Sequence, residues 1–191
     1  MGAVGLGGAA CLQGTPVRWL LLAILAYVLL VVQVTLFIPG LLAVPVHGHW
    51  VRPDLVLLLG VFVALYFETR QTLVAASCFG LAADLAAVTG RLGLYALLFA
   101  AVLTGLSLVR GVLNRRWIMT QSVVGFGAVL VVHAAAYVAA RYLGGGPVAP
   151  LRSLEEAALD AVYSGVLAPY VIWGLLRLRG PLGVTVEPGE I

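Results

Sequence analysis

Few side chains in this sequence could do chemistry, and the most conspicuous is an acid inside a hydrophobic run. Asp84 lies in Gly80-Leu81-Ala82-Ala83-Asp84-Leu85, and Ala76, Gly80 and Asp84 recur every four residues. On a helix that spacing puts the carboxylate on one face with small residues that let helices approach closely. A charge at mid-membrane is costly unless it faces protein or water, so two roles are open. Asp84 is either a structural acid that caps a neighbouring helix or pairs with an arginine such as Arg91, or a group coupled to proton or ion movement. His133, with Tyr137 one turn later, is either a hydrogen-bonded packing residue or a ligand. His47-Gly48-His49 could bind a metal or respond to pH, but no acid or cysteine stands nearby to complete a site. Asp54, after Arg52-Pro53, suits the first turn of a helix, and Glu68 and Arg70 suit a solvated hairpin tip.

Catalytic constellations are absent from the sequence. There is no GxSxG elbow, HExxH pair or phosphate-binding loop, and Gly5-Leu6-Gly7-Gly8 precedes no strand–helix unit. Cys11 and Cys78 form no metal or disulfide spacing. No catalytic, cofactor or metal residue is therefore assigned.

The elements that must position these groups follow from composition. Of 191 residues, 62% are hydrophobic and 10% charged, against about 25% charged in a soluble domain, and the mean hydropathy is +1.09. This excludes an ordinary soluble enzyme. The eleven basic residues, all Arg, are too dispersed for a nucleic-acid face. The expected fold is an all-α membrane protein, a compact bundle of six transmembrane helices over residues 16–178. The spans are read at about 16–38, 53–69, 71–88, 92–113, 117–140 and 154–178, with residues 1–15 a flexible tail and 179–191 a cytoplasmic one. Thr15-Pro16 and Pro39-Gly40 bound the first span, which is read as uncleaved, and Thr89-Gly90 and Gly144-Gly145-Gly146-Pro147 are breakers. Ser153-Leu154-Glu155-Glu156 reads as a capping box starting the sixth.

An even number of spans puts both termini on one side. Arg18, Arg70, Arg110, Arg115, Arg116, Arg177 and Arg179 fall on that side against Arg52, Arg91, Arg141 and Arg152 on the other, so both termini are expected in the cytoplasm. Trp19, Trp50, Trp117 and Trp173 fall near span ends, as an aromatic belt requires. Span four carries Gly93, Ala96, Ala100, Thr104, Ser107 and Gly111 at three- or four-residue steps, a face that accepts another helix from its own bundle or from a partner.

The order of these features resembles MreD, the rod-shape-determining membrane protein family of bacterial cell-wall elongation. Three segments carry the resemblance. The first is Arg52-Pro53-Asp54-Leu55-Val56-Leu57-Leu58-Leu59. The second is Phe79-Gly80-Leu81-Ala82-Ala83-Asp84-Leu85 followed by Leu92-Gly93-Leu94-Tyr95-Ala96-Leu97. The third is Tyr163-Ser164-Gly165-Val166-Leu167-Ala168-Pro169. Ser164 stands where many relatives are expected to have Asn. The resemblance implies a non-enzymatic member of the elongation complex in the cytoplasmic membrane, without cofactor. Its implied partners are a single-span MreC-like scaffold, RodA with its penicillin-binding transpeptidase, and MreB filaments. On it, Arg52, Pro53, Asp54, Gly80, Asp84, Gly93, Tyr163 and Pro169 shape the bundle, and Gly93, Ala96, Ala100 and Thr104 are candidates for the partner-facing surface. A second expectation is the substrate-binding subunit of an energy-coupling-factor vitamin transporter, similar in size and span number, with a pocket lined by His47, His49 and Trp50 or by the Arg141–Arg152 loop. A proton-coupled carrier using Asp84 and His133 is a third.

Overall fold

The computed structural model describes residues 19–36, 44–46, 49–86, 93–111, 117–142 and 150–178. In chain order these form α1 (Trp19–Leu36), β1 (Val44–Val46), β2 (His49–Val51), α2 (Leu55–Tyr66), α3 (Thr69–Ala86), α4 (Leu94–Val109), α5 (Ile118–Tyr142) and α6 (Pro150–Arg177). The expected class, all-helical, stands with one addition. The connection after α1 contains a two-stranded antiparallel hairpin, pairing Val44 with Val51 and Val46 with His49; its β-branched valines suit extended backbone.

Helix α2 is the axis of the molecule. Every residue from Leu55 to Leu65 is buried, with Leu57, Leu58, Val61, Phe62 and Ala64 fully so. A helix apolar all round must be enclosed by protein or lipid; here α1, α3, α4, α5 and α6 all pack against it. The outer helices pair most extensively as α3 with α4 and α5 with α6. Glycines set these approaches. A Cβ at Gly80 would lie 2.4 Å from the Ala96 Cα, and one at Gly165 would lie 2.9 Å from the Phe126 Cβ. Backbones this close gain dispersion contacts that a larger side chain would prevent.

Outward, the molecule is apolar. Leu20 and Tyr27 on α1, Leu85 on α3, Leu97 and Leu108 on α4, Met119 on α5, and Val166 and Tyr170 on α6 are all more than half exposed. Two helical stretches, Ile118–Ala139 and Leu154–Arg177, are long and apolar enough to cross a membrane, while the apolar stretches Trp19–Thr35, Leu55–Tyr66 and Leu94–Val109 are shorter.

Several expected boundaries move. The second span, expected over 53–69, is a helix of 12 residues. It stops because Phe67 turns extended (φ −109°, ψ 166°), and the Thr72 hydroxyl engages the carbonyls of Glu68 and Val63, separating α2 from α3. The sixth begins at Pro150 and not after a Ser153 cap; proline fits the first helical turn because its missing N–H has no partner to lose. Glu155 and Glu156 therefore lie one turn inside α6. The tails 1–15 and 179–191, the breakers Thr89-Gly90 and Gly144–Pro147, and Arg18, Arg91, Arg115, Arg116, His47 and Cys11 lie outside the described residues.

Candidate functional site

A short helix buried at both ends has a problem that a full span does not. Its first four N–H groups and last four carbonyls lack intrahelical partners, and burial limits the water that could serve in their place. Several polar side chains of the described residues gather at those points.

At the start of α2, Asp54 is the N-cap and its Oδ1 accepts the Leu57 N–H at 3.0 Å. Gln33 on α1 brings its Oε1 to the N–H groups of Leu55 (3.1 Å) and Val56 (3.3 Å). Ser164 on α6 accepts the Asp54 N–H at 3.0 Å, and Asp160, one turn earlier, accepts the Arg52 N–H at 2.9 Å. Pro53 has no N–H to satisfy. Every N–H from Arg52 to Leu57 thus meets a side-chain oxygen, supplied by α1, by α6 and by the cap residue itself, before the Leu58 N–H takes up the ladder on the Asp54 carbonyl. Two of the acceptors are carboxylates, which the positive end of the helix dipole favours.

The start of α4 is built the same way from one residue. Asp84 Oδ2 accepts the N–H groups of Gly93 (2.9 Å) and Ala96 (3.1 Å), and Oδ1 that of Tyr95 (3.1 Å). Gly93 is left-handed, with φ +99°, a conformation that glycine adopts without steric cost. One turn before Asp84, Gly80 admits the α4 backbone, so glycine and acid act together: the first allows the approach and the second grips the amides. At the other end of α2, the Arg110 guanidinium, from the C-terminus of α4, donates to the Phe67 carbonyl.

Of the roles open to Asp84, the geometry carries the helix cap; both oxygens are occupied by backbone amides. His133 Nδ1 lies 2.9 Å from the Val129 carbonyl of its own helix, so the ring closes on local backbone. The Tyr137 hydroxyl is buried and finds no hydrogen-bond partner among the described residues. No cluster of three His, Cys, Asp or Glu suited to a metal occurs among the described residues.

The remaining candidates divide. Arg52 points its side chain outward and contributes its main chain, while Pro53 is buried. Tyr163 packs half-buried against Leu55, Leu58 and Ala168. Pro169 lies inside α6, four residues after Gly165, and frees that residue's carbonyl from its usual helical partner. Gly93 and Ala96, candidates for a partner-facing surface, are engaged by α3 through Asp84 and Gly80, and Ala100 and Thr104 continue the same line half-buried.

The sequence reading missed three contributors. Gln33, Asp160 and Arg110 each had a signal: an amide within a span, an acid six residues past the expected start of span six, and an arginine read only as a topology marker. Asp54 and Asp160 thus share with Asp84 the work of holding helix starts in the bundle.

The polar clasp at Arg52–Leu57 and the Asp84 cap together tie α1, α3, α4 and α6 around α2. No family model, curated protein or solved structure matches the chain.

Proposed function

We propose that this chain is a six-span protein of the bacterial cytoplasmic membrane, both termini inside, that works as a non-enzymatic scaffold of cell-wall elongation. That is the role its resemblance to MreD implies. The observation that carries the proposal is the convergence of the resembling segments on helix capping. The first, Arg52-Pro53-Asp54, is held by Ser164 of the third, 110 residues away. Within the second, Gly80 and Asp84 hold Gly93, Tyr95 and Ala96. Polar groups in lipid usually mark chemistry or transport; here they are engaged by backbone, which favours holding helices over moving substrates. The apolar outer surface supports insertion, since soluble monomers rarely expose large contiguous apolar patches.

On this reading the scaffold receives the helix of an MreC-like single-span protein and sits beside RodA, its transpeptidase and MreB filaments. The test is co-purification of the tagged chain with the MreC-like protein of its own genome, with cell shape as a second readout. Asp84→Ala is expected to lower chain level and round the cells. Failure to co-purify, or normal shape and level with Asp84→Ala, overturns the assignment.

A further inference from the structure

Three arginines at one end of the bundle are used in different ways. Arg110, from the end of α4, is turned inward onto the Phe67 carbonyl, where α2 stops. Arg70, in the first turn of α3, is exposed at that same end. Arg177 joins them through α6. Asp160 and Ser164 hold the start of α2, so the two helices run in the same direction. Arg177 lies about 20 Å beyond Ser164, and α2, with 12 residues, is about 18 Å long, which puts Arg177 level with the end of α2.

Arg177 is exposed, and its guanidinium carbon lies 4.3 Å from the centroid of the Trp173 ring. A guanidinium stacked on an indole keeps its N–H edges free and gives up little further freedom when it takes an oxygen ligand. Among the described residues, no carboxylate or carbonyl takes those N–H groups. Below the arginine, Trp173, Gly174, Tyr170 and Val166 share its face of the helix. Trp173, Tyr170 and Val166 are all more than half exposed. Gly174 is a notch between them, where a Cβ would meet nothing within 4 Å. One strip thus carries a poised cation at its end, a gap one turn deeper and an apolar track beyond.

We propose that this end of α6 binds an anionic phospholipid, Arg177 taking the headgroup phosphate and the Gly174 notch the glycerol ester, with the acyl chain along Tyr170 and Val166. The shared chemistry is a phosphate, which a soluble anion also offers, but the notch and the apolar track fit only the lipid. Charge complementarity selects a lipid with net negative charge: the Trp173 face that would attract a choline is already covered by the guanidinium. The inference rests on the part of the proposed function that has α6 crossing the membrane, for which Leu154–Arg177 has the length and apolarity.

The test uses the full chain with Trp19→Phe/Trp50→Phe/Trp117→Phe, so that Trp173 is its only indole; Trp19 and Trp117 are exposed, and phenylalanine there leaves the packing intact. It is reconstituted in phosphatidylcholine vesicles containing equal shares of brominated phosphatidylglycerol or brominated phosphatidylcholine. Quenching of Trp173 is expected to report phosphatidylglycerol enriched about fivefold, the worth of one arginine at an anionic surface. Arg177→Gln should abolish the enrichment, and so should Gly174→Leu, whose side chain fills the notch without touching the rest of the chain. Arg70→Gln, which removes the same charge at the same end, should leave it unchanged. Equal quenching by the two lipids, enrichment that survives Arg177→Gln or Gly174→Leu, or an equal loss in Arg70→Gln overturns the proposal. Displacement of the brominated lipid by inorganic phosphate at constant ionic strength also overturns it, by making the ligand a soluble anion. Shielding of Trp173 from both lipids that grows with the protein-to-lipid ratio overturns it too, by placing a second copy on the strip. Release of the chain by alkaline carbonate instead overturns the membrane reading itself.

Discussion

At the scale of the residue, this protein uses acids as helix caps. Asp84 is buried to 4% exposure, and each of its three amide partners would otherwise be a donor without an acceptor. Removing one partner of a buried hydrogen bond costs about 1–3 kcal/mol and more where charge is involved. Asp84→Ala is therefore expected to destabilise the chain by about 3 kcal/mol, and Asp84→Asn by less, since an amide keeps an acceptor oxygen. Reversible unfolding in mixed detergent micelles measures the difference; equal losses for the two variants would contradict the capping role. Gly80 and Gly105 form a contrasting pair. A Cβ at Gly80 would meet α4 backbone at 2.4 Å, whereas one at Gly105 meets nothing within 4 Å. Gly80→Ala should cost about 2 kcal/mol or more by forcing α3 from α4. Gly105→Ala should be neutral or stabilise by up to about 1 kcal/mol through helix propensity.

At the scale of the element, the decisive object is α2, whose apolar run was legible while its end was not. A helix hydrophobic on every side announces enclosure, but where it stops depends on Thr72, Arg110 and an extended Phe67, which come together only in three dimensions. The helical class, the order of the helices and the small-residue faces of α3 and α4 could be read because local spacing encodes them; that the two faces meet each other could not. Asp54 could be read as a helix-start acid because it lies three residues from the amide that it caps, but the rest of the clasp on Arg52–Leu57 could not, because its other acceptors lie 22 to 110 residues away along the chain. Gln33→Ala removes the acceptor shared by Leu55 and Val56, and α1, which packs mainly on α2 and buries only Leu22 deeply, has little else to anchor it. Amide exchange in α1 and at residues 55–57 is expected to rise at least tenfold in Gln33→Ala, with α5 unchanged. A uniform rise across all helices would instead signal global destabilisation. Arg110→Ala should similarly loosen the 66–69 turn, and Arg110→Lys should restore part of the protection, because an ammonium still donates to the Phe67 carbonyl.

At the scale of the whole molecule, one apolar axis is wrapped by five helices, and exchange protection should follow that geometry. The amides of Leu57 to Leu65, fully enclosed and laddered, are expected to be the slowest in the protein, and those of α1 the fastest among the helices. Exchange in α5 slower than in α2 would overturn this ordering. The clasp also has a consequence for how such a protein is made. Ribosomal synthesis delivers α2 long before α6, yet the Arg52 and Asp54 amides wait for acceptors 108 and 110 residues further on. Until residue 164 has left the ribosome, the beginning of α2 presents bare polar groups to its surroundings. A nascent chain stalled before that point keeps the Arg52 and Asp54 amides without the acceptors that the finished chain supplies.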